Sequence, residues 1–103
     1  MKKVINGKAF STEKAELLHS DSYSNPSDFN YWREALYVTP KGAYFIHGEG
    51  GASSKYGRQV EQNTWSGGAD ITPVSKEEAI QWLEEHDGAD VILEHFAGDV
   101  EEA

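Results

Sequence analysis

The chain contains no cysteine. That excludes a disulfide framework and thiolate zinc sites, and it makes the cytoplasm the default compartment. No run approaches the ~20 apolar residues that a bilayer span requires. The opening Met1-Lys2-Lys3-Val4-Ile5-Asn6-Gly7 carries two cations but no apolar stretch of signal-peptide length, so no membrane partner is expected. The third scarcity is positional: residues 77–103 hold no lysine or arginine at all.

A chain of 103 residues suits one domain. Its three Trp, five Tyr and four Phe supply large pieces for one core. The formal charge is −9, and it is lopsided. Residues 1–76 hold all nine cations and eight acids, which nearly cancel. Residues 77–103 hold ten acids: Glu77, Glu78, Glu84, Glu85, Asp87, Asp90, Glu94, Asp99, Glu101 and Glu102. Such a segment is either a solvated face with a soluble tail or a surface shaped for a basic partner. Direct nucleic-acid binding is not expected, because phosphates would be repelled and no Lys/Arg stripe exists.

Along the chain, Asn6-Gly7 predicts a tight hairpin turn between Val4-Ile5 and Lys8-Phe10. Ser11 or Thr12 can cap a short helix over 13–18, part of which can instead lead into a strand ending near Tyr23. The Ser/Asn/Asp/Pro-rich stretch 20–28 reads as a loop. Tyr31–Thr39 is the clearest strand, with Trp32, Glu34, Leu36 and Val38 on one face and Tyr31, Arg33, Ala35 and Tyr37 on the other. Aromatics on both faces predict a central strand covered on both sides. Thr39-Pro40-Lys41-Gly42 is a turn, and Ala43–His47 is the return strand. The Gly-rich segment 48–54 is expected to be neither strand nor helix, 55–63 to form one or two helical turns, and 69–74 to be extended. Ser75 is a natural N-cap for a helix over 76–86 whose apolar arc holds Ala79, Ile80, Trp82, Leu83 and His86. Asp87-Gly88 ends it, and a second helix over 89–97 would bury Val91, Ile92 and Phe96. The expected fold is a single α+β domain over 1–103: a small antiparallel sheet built on the 31–47 hairpin, a C-terminal amphipathic helix pair on one face, and a frayed acidic tail from about residue 98.

Chemistry-bearing constellations are sparse. Gly48–Lys55 follows a strand and could form an anion-binding nest, but it lacks the spacing of a phosphate loop, and Glu49 would repel phosphate. Ser53 or Ser54 with His47 and Glu49 could be drawn as a nucleophile set, yet nothing resembles a nucleophile elbow. His86-Asp87 and Glu94-His95 have no metal-ligand spacing. The expectation is therefore no catalytic residue, no metal and no cofactor.

The stretch Tyr31-Trp32-Arg33-Glu34-Ala35-Leu36-Tyr37-Val38-Thr39-Pro40-Lys41-Gly42-Ala43-Tyr44-Phe45-Ile46-His47-Gly48-Glu49-Gly50-Gly51 is distinctive. With Asn63–Gly68, Ile71–Ser75 and Glu77–Leu83, it resembles a family of small acidic proteins of Gram-positive bacteria and their mobile elements. That family brings no established catalytic residues. In size and charge the chain also resembles anti-CRISPR proteins of phages and plasmids. The resemblance implies a non-enzymatic inhibitor acting by contact, with a basic partner such as an RNA-guided nuclease, whose positive channels a nucleic-acid-mimicking surface could occupy. The expected contact residues are Glu77, Glu78, Glu84 and Glu85, then Asp87, Asp90 and Glu94. Loop contacts would come from Glu49, Ser53, Ser54, Lys55 and Tyr56. Two alternatives stand beside this: a phosphate- or nucleotide-binding protein using the 48–55 loop with Tyr44 or Trp65 as a wall, and an acidic antitoxin-type partner.

Overall fold

Asn6 and Gly7 both sit at positive φ, 51° and 77°, the two-residue turn that their types favour. They join β1 (Lys2–Ile5) to β2 (Lys8–Ser11) in a two-stranded antiparallel sheet of their own. The computed structural model describes residues 1–101, so Glu102 and Ala103 of the expected tail lie outside the described residues.

The chain next turns through residues 12–15 and enters β3 (Glu16–Tyr23). The short helix over 13–18 does not form; the alternative strand ending at Tyr23 does. Six residues are too few to sustain an isolated helix, whereas β3 gains a full antiparallel ladder with β4 (Trp32–Val38). Thr39-Pro40-Lys41-Gly42 makes the expected turn, closed by the Gly42 N–H on the Thr39 carbonyl at 2.9 Å with Gly42 at φ 86°. It leads into β5 (Tyr44–Gly50).

Two expectations fail between residues 48 and 66. Strand β5 does not stop at His47 but runs on through Gly48 and Gly50. The glycines are there because other side chains occupy their Cβ positions. An ideal Cβ on Gly48 would fall 1.8 Å from the Tyr56 hydroxyl oxygen, and one on Gly50 2.2 Å from Ser54 Oγ. Residues 55–63 do not form helical turns either. After a turn they give β6 (Arg58–Glu61), which pairs with β7 (Thr64–Ser66) across Asn63 at φ 65°. Every residue of that small hairpin is exposed, so no burial period marks it in the sequence.

Strand β8 (Gly68–Val74) completes a four-stranded antiparallel sheet in the order β3-β4-β5-β8. Pro73 is tolerated because β8 is an edge strand. Ser75 then caps α1 (Lys76–Glu85) through a capping box: its hydroxyl accepts from Glu78 N–H at 3.1 Å, and its own N–H donates to Glu78 Oε1 at 2.9 Å. The helix ends with the Gly88 N–H on the Leu83 carbonyl at 2.7 Å. The left-handed residue there is Asp87, at φ 61°; Gly88 is needed because a Cβ would meet Leu83. Helix α2 (Ala89–His95) and a 3-10 turn at Ala97–Asp99 follow.

Strand β4 is the two-sided centre. Leu36 packs with Ala79, Trp82, Leu83, Ile92 and Phe96 on the helical side. On the other side Phe10 of β2 closes over Phe45 and Ile71, with Tyr37 stacked on Phe45 at 5.1 Å. Each of these large side chains contributes roughly 1.5–3 kcal/mol when fully buried. The result is the expected α+β architecture, with strands in antiparallel sheets and the helix pair packed on one face. No helix among the described residues is long and apolar enough to cross a membrane.

Candidate functional site

The helical acids reach solvent. Glu77, Glu78, Glu84, Glu85, Asp87, Asp90 and Glu94 are all exposed. None of the seven forms an ion pair among the described residues. The amphipathic pattern explains this: Ala79, Trp82, Leu83 and Ile92 turn inward, which forces the intervening carboxylates outward. The only cation on α1, Lys76, is held by Asp99 at 2.8 Å. That contact raises the Lys76 pKa and pins the start of the expected acidic tail.

Not all seven acids are equally free. The Glu78 carboxylate closes the capping box, and the Ser75 N–H holds its pKa below the usual range. Asp87 occupies the left-handed stop position. Glu85 accepts from the Gln81 amide at 3.2 Å. Glu77, Glu84, Asp90 and Glu94 have no hydrogen-bond partner for their carboxylates among the described residues.

One carboxylate behaves in the opposite way. Glu34, on the helical face of β4, is 3% exposed. Its Oε2 accepts from the Tyr56 hydroxyl and lies 2.6 Å from Lys55 Nζ. Its Oε1 accepts from Trp82 Nε1–H at 3.1 Å and faces His86 Nε2 at 3.6 Å. Burial pushes the Glu34 pKa up, but the hydrogen bonds from Lys55, Tyr56 and Trp82 outweigh it and leave the group below the ordinary range. The same contact, after burial, drives the Tyr56 phenol far above its ordinary value. His86 stacks on Trp82 at 4.4 Å and donates from Nδ1 to the Trp82 carbonyl at 2.8 Å. His19 of β3 donates from Nε2 to the His86 carbonyl at 2.8 Å. Sheet, loop and helix therefore meet on one anion.

This hub decides the fate of the Gly-rich loop residues. Lys55 and Tyr56 point to Glu34, and Ser54 Oγ donates to the Gly51 carbonyl at 2.8 Å while accepting from Tyr56 N–H at 3.2 Å. These three build the loop's own structure; of the expected loop contacts, Ser53 is exposed and Glu49 is half-buried. The drawn nucleophile set does not assemble. Ser54 lies over the helical side of Gly50, whereas His47 and Glu49 alternate to the opposite face of β5. Among the described residues no three His, Asp or Glu side chains gather as a metal site.

A cleft of about 650 Å³ does open beside the loop, lined by Glu49, Gly50, Gly51, Asp28, Phe29 and Trp65 among others. Phe29 and Trp65 are 72% and 57% exposed. Trp65 lines this cleft, whereas Tyr44 does not and packs on Phe96 at 5.4 Å. No lysine or arginine lines the cleft, and Asp28 is held ionised by the Asn30 N–H and the Ser24 hydroxyl.

The sequence did not signal the Glu34 hub, because its partners lie 22 and 48 residues away in the chain. The one hint was a carboxylate in register with Trp32, Leu36 and Val38 on an apolar strand face. No family model, curated protein or solved structure matches this chain.

Proposed function

We infer that this protein acts by contact, as a non-enzymatic inhibitor whose acidic helical surface docks against a basic, nucleic-acid-handling protein. An RNA-guided nuclease encountered by a phage or mobile element is the target class we favour. The observation that carries this reading is the row of exposed carboxylates on two consecutive helices with no ion-pair partner among the described residues. Nothing in the fold's packing requires Glu77, Glu84, Asp90 or Glu94, and their mutual repulsion is a cost that a positive partner relieves. A channel built to hold phosphates presents Lys and Arg at close spacing, so fixed carboxylates on rigid helices compete for it.

The test is competition. The protein at low salt should bind a purified RNA-guided nuclease and displace its DNA, with affinity falling steeply as salt rises. Failure to bind any such nuclease at low salt contradicts the reading. Capture of a small basic toxin instead would favour the antitoxin-type alternative, which the same carboxylates serve.

The ligand-binding alternative is favoured by the cleft at Phe29 and Trp65. Its lining carries two carboxylates and no lysine or arginine, which argues against phosphate and for an uncharged ring stacked on the aromatics. A thermal shift with a nucleotide or sugar phosphate would support that alternative; a shift with neutral sugars and none with nucleotides would contradict it and leave a site for an uncharged ring.

A further inference from the structure

The nine cations of this acidic chain are not scattered. Lys3, Lys55 and Lys76 each lie within ion-pair distance of a carboxylate: Asp70 at 2.5 Å, Glu34 at 2.6 Å and Asp99 at 2.8 Å. Arg58 donates to the Ala69 carbonyl at 2.8 Å. Of the remaining five, Lys2, Lys8, Lys14 and Lys41 all line one cleft, and only Arg33 lies elsewhere. None of the four has an ion-pair partner among the described residues.

That cleft, of about 620 Å³, opens between the β1–β2 hairpin and the turn joining β4 to β5. Its volume falls within the roughly 300–1,000 Å³ typical of small-ligand sites. The floor is apolar, with Phe10 and Pro40 among its residues. Phe10 is buried by its edge-on contact with Phe45 at 5.6 Å, so the floor rests on the second core and does not depend on a partner to form. Lysine stems extend over apolar surface while their ammonium groups stay in water. Lys8 shares the hairpin face of Phe10 and Lys2 lies on the other; an apolar floor with four lysines free of ion pairs among its lining residues is complementary to a molecule with an apolar body and an anionic head.

We propose that this cleft binds a small anionic amphiphile, a single alkyl or acyl chain carrying a carboxylate or phosphate head. The chain lies on the Phe10 floor, and the head is met by the lysines. The site is on the opposite side of the sheet from the helical carboxylates, so its occupancy is independent of the contact function inferred above.

Calorimetry on the full chain tests this with dodecanoate and dodecyl phosphate, each below its micelle concentration. Both should bind one to one, with dodecyltrimethylammonium and inorganic phosphate each at least about tenfold weaker. The double substitution Lys8→Glu/Lys41→Glu, on exposed residues, should weaken dodecyl phosphate by about tenfold or more. Ala43→Trp, at another lining residue, should also reduce binding by filling the space. Amide shifts at Ala9 and Lys41 should accompany binding of the wild-type chain. Several results would overturn the proposal: no binding of either anionic probe, equal binding of the cationic homologue, phosphate alone binding as tightly, or wild-type affinity in the double variant. Sedimentation with vesicles of anionic phospholipid, in the absence of binding to the monomeric probes, would likewise replace it with a membrane-surface attraction.

Discussion

Glu34 and Glu84 are the same residue in two opposite situations. Glu34 is buried on a central strand, with Tyr56, Lys55 and Trp82 bonded to it and His86 beside it. Glu84 stands on the outside of α1 with no partner among the described residues. The first carboxylate holds sheet, loop and helix together; the second does nothing for the fold. In a domain whose total stability is about 5–15 kcal/mol, that difference separates structural acids from those free to recognise another molecule.

The comparison breaks most visibly at Glu34. Glu34→Ala leaves the Trp82 indole N–H and the Tyr56 hydroxyl without their acceptor, while the exposed Lys55 ammonium returns to water, and should cost about 2–4 kcal/mol, measured by urea unfolding. Glu34→Gln keeps the shape and should cost less, while flattening the acid limb of the stability curve. The sign follows from linkage. Glu34 titrates below its ordinary value of 4.5 when folded, so its contribution is fully present above that pH and is lost as pH falls through the folded value. A next step down is Gly48→Ala. The added methyl collides with the Tyr56 hydroxyl, pushing the ring off Glu34, and should cost about 1–3 kcal/mol without touching the helices. Equal acid sensitivity in Glu34→Gln and wild type would show that the hub is not what its geometry implies.

His47 offers a smaller effect from the other face of the sheet. Burial lowers its pKa, more than Glu49 restores it. Folding therefore favours its neutral form, and its contribution is present above the unfolded value of 6.5 and declines as pH falls below it. His47→Gln should shrink the loss of thermal stability between pH 7 and 5.5. Smallest of all should be the stability effect of Glu84→Lys, Glu85→Lys, Asp90→Lys and Glu94→Lys together, about 0.5 kcal/mol or less per site. Glu78 is left out because its replacement would open the capping box.

Local chemistry was readable at most of the places where the chain punctuates itself, though the polar stretch 20–28, read as a loop, gives its first four residues to β3. Asn6-Gly7, Thr39–Gly42, Ser75 with Glu78, and Asp87-Gly88 each act through backbone geometry within a few residues, and each marks the boundary expected of it. What escaped depends on distant neighbours. Strand β3 was ambiguous because a bulge between Leu17 and His19 breaks its alternation. The β6–β7 hairpin has no buried face to reveal it. Gly48 and Gly50 read as breakers, although they lie within β5 to make room for Tyr56 and Ser54. Of the candidate residues, the exposed helical carboxylates followed from amphipathic spacing. The bonds of Lys55 and Tyr56 to Glu34 did not, since that residue lies far back in the chain.

The most direct test of the contact function is the affinity of that four-lysine variant for an RNA-guided nuclease, measured beside the wild type across a salt series. The account predicts that the variant folds normally and loses binding at low salt, while the wild type binds with a steep negative slope of log affinity against log salt. Unchanged affinity and slope in the folded variant would contradict it and leave the outer carboxylates as a solubilising coat.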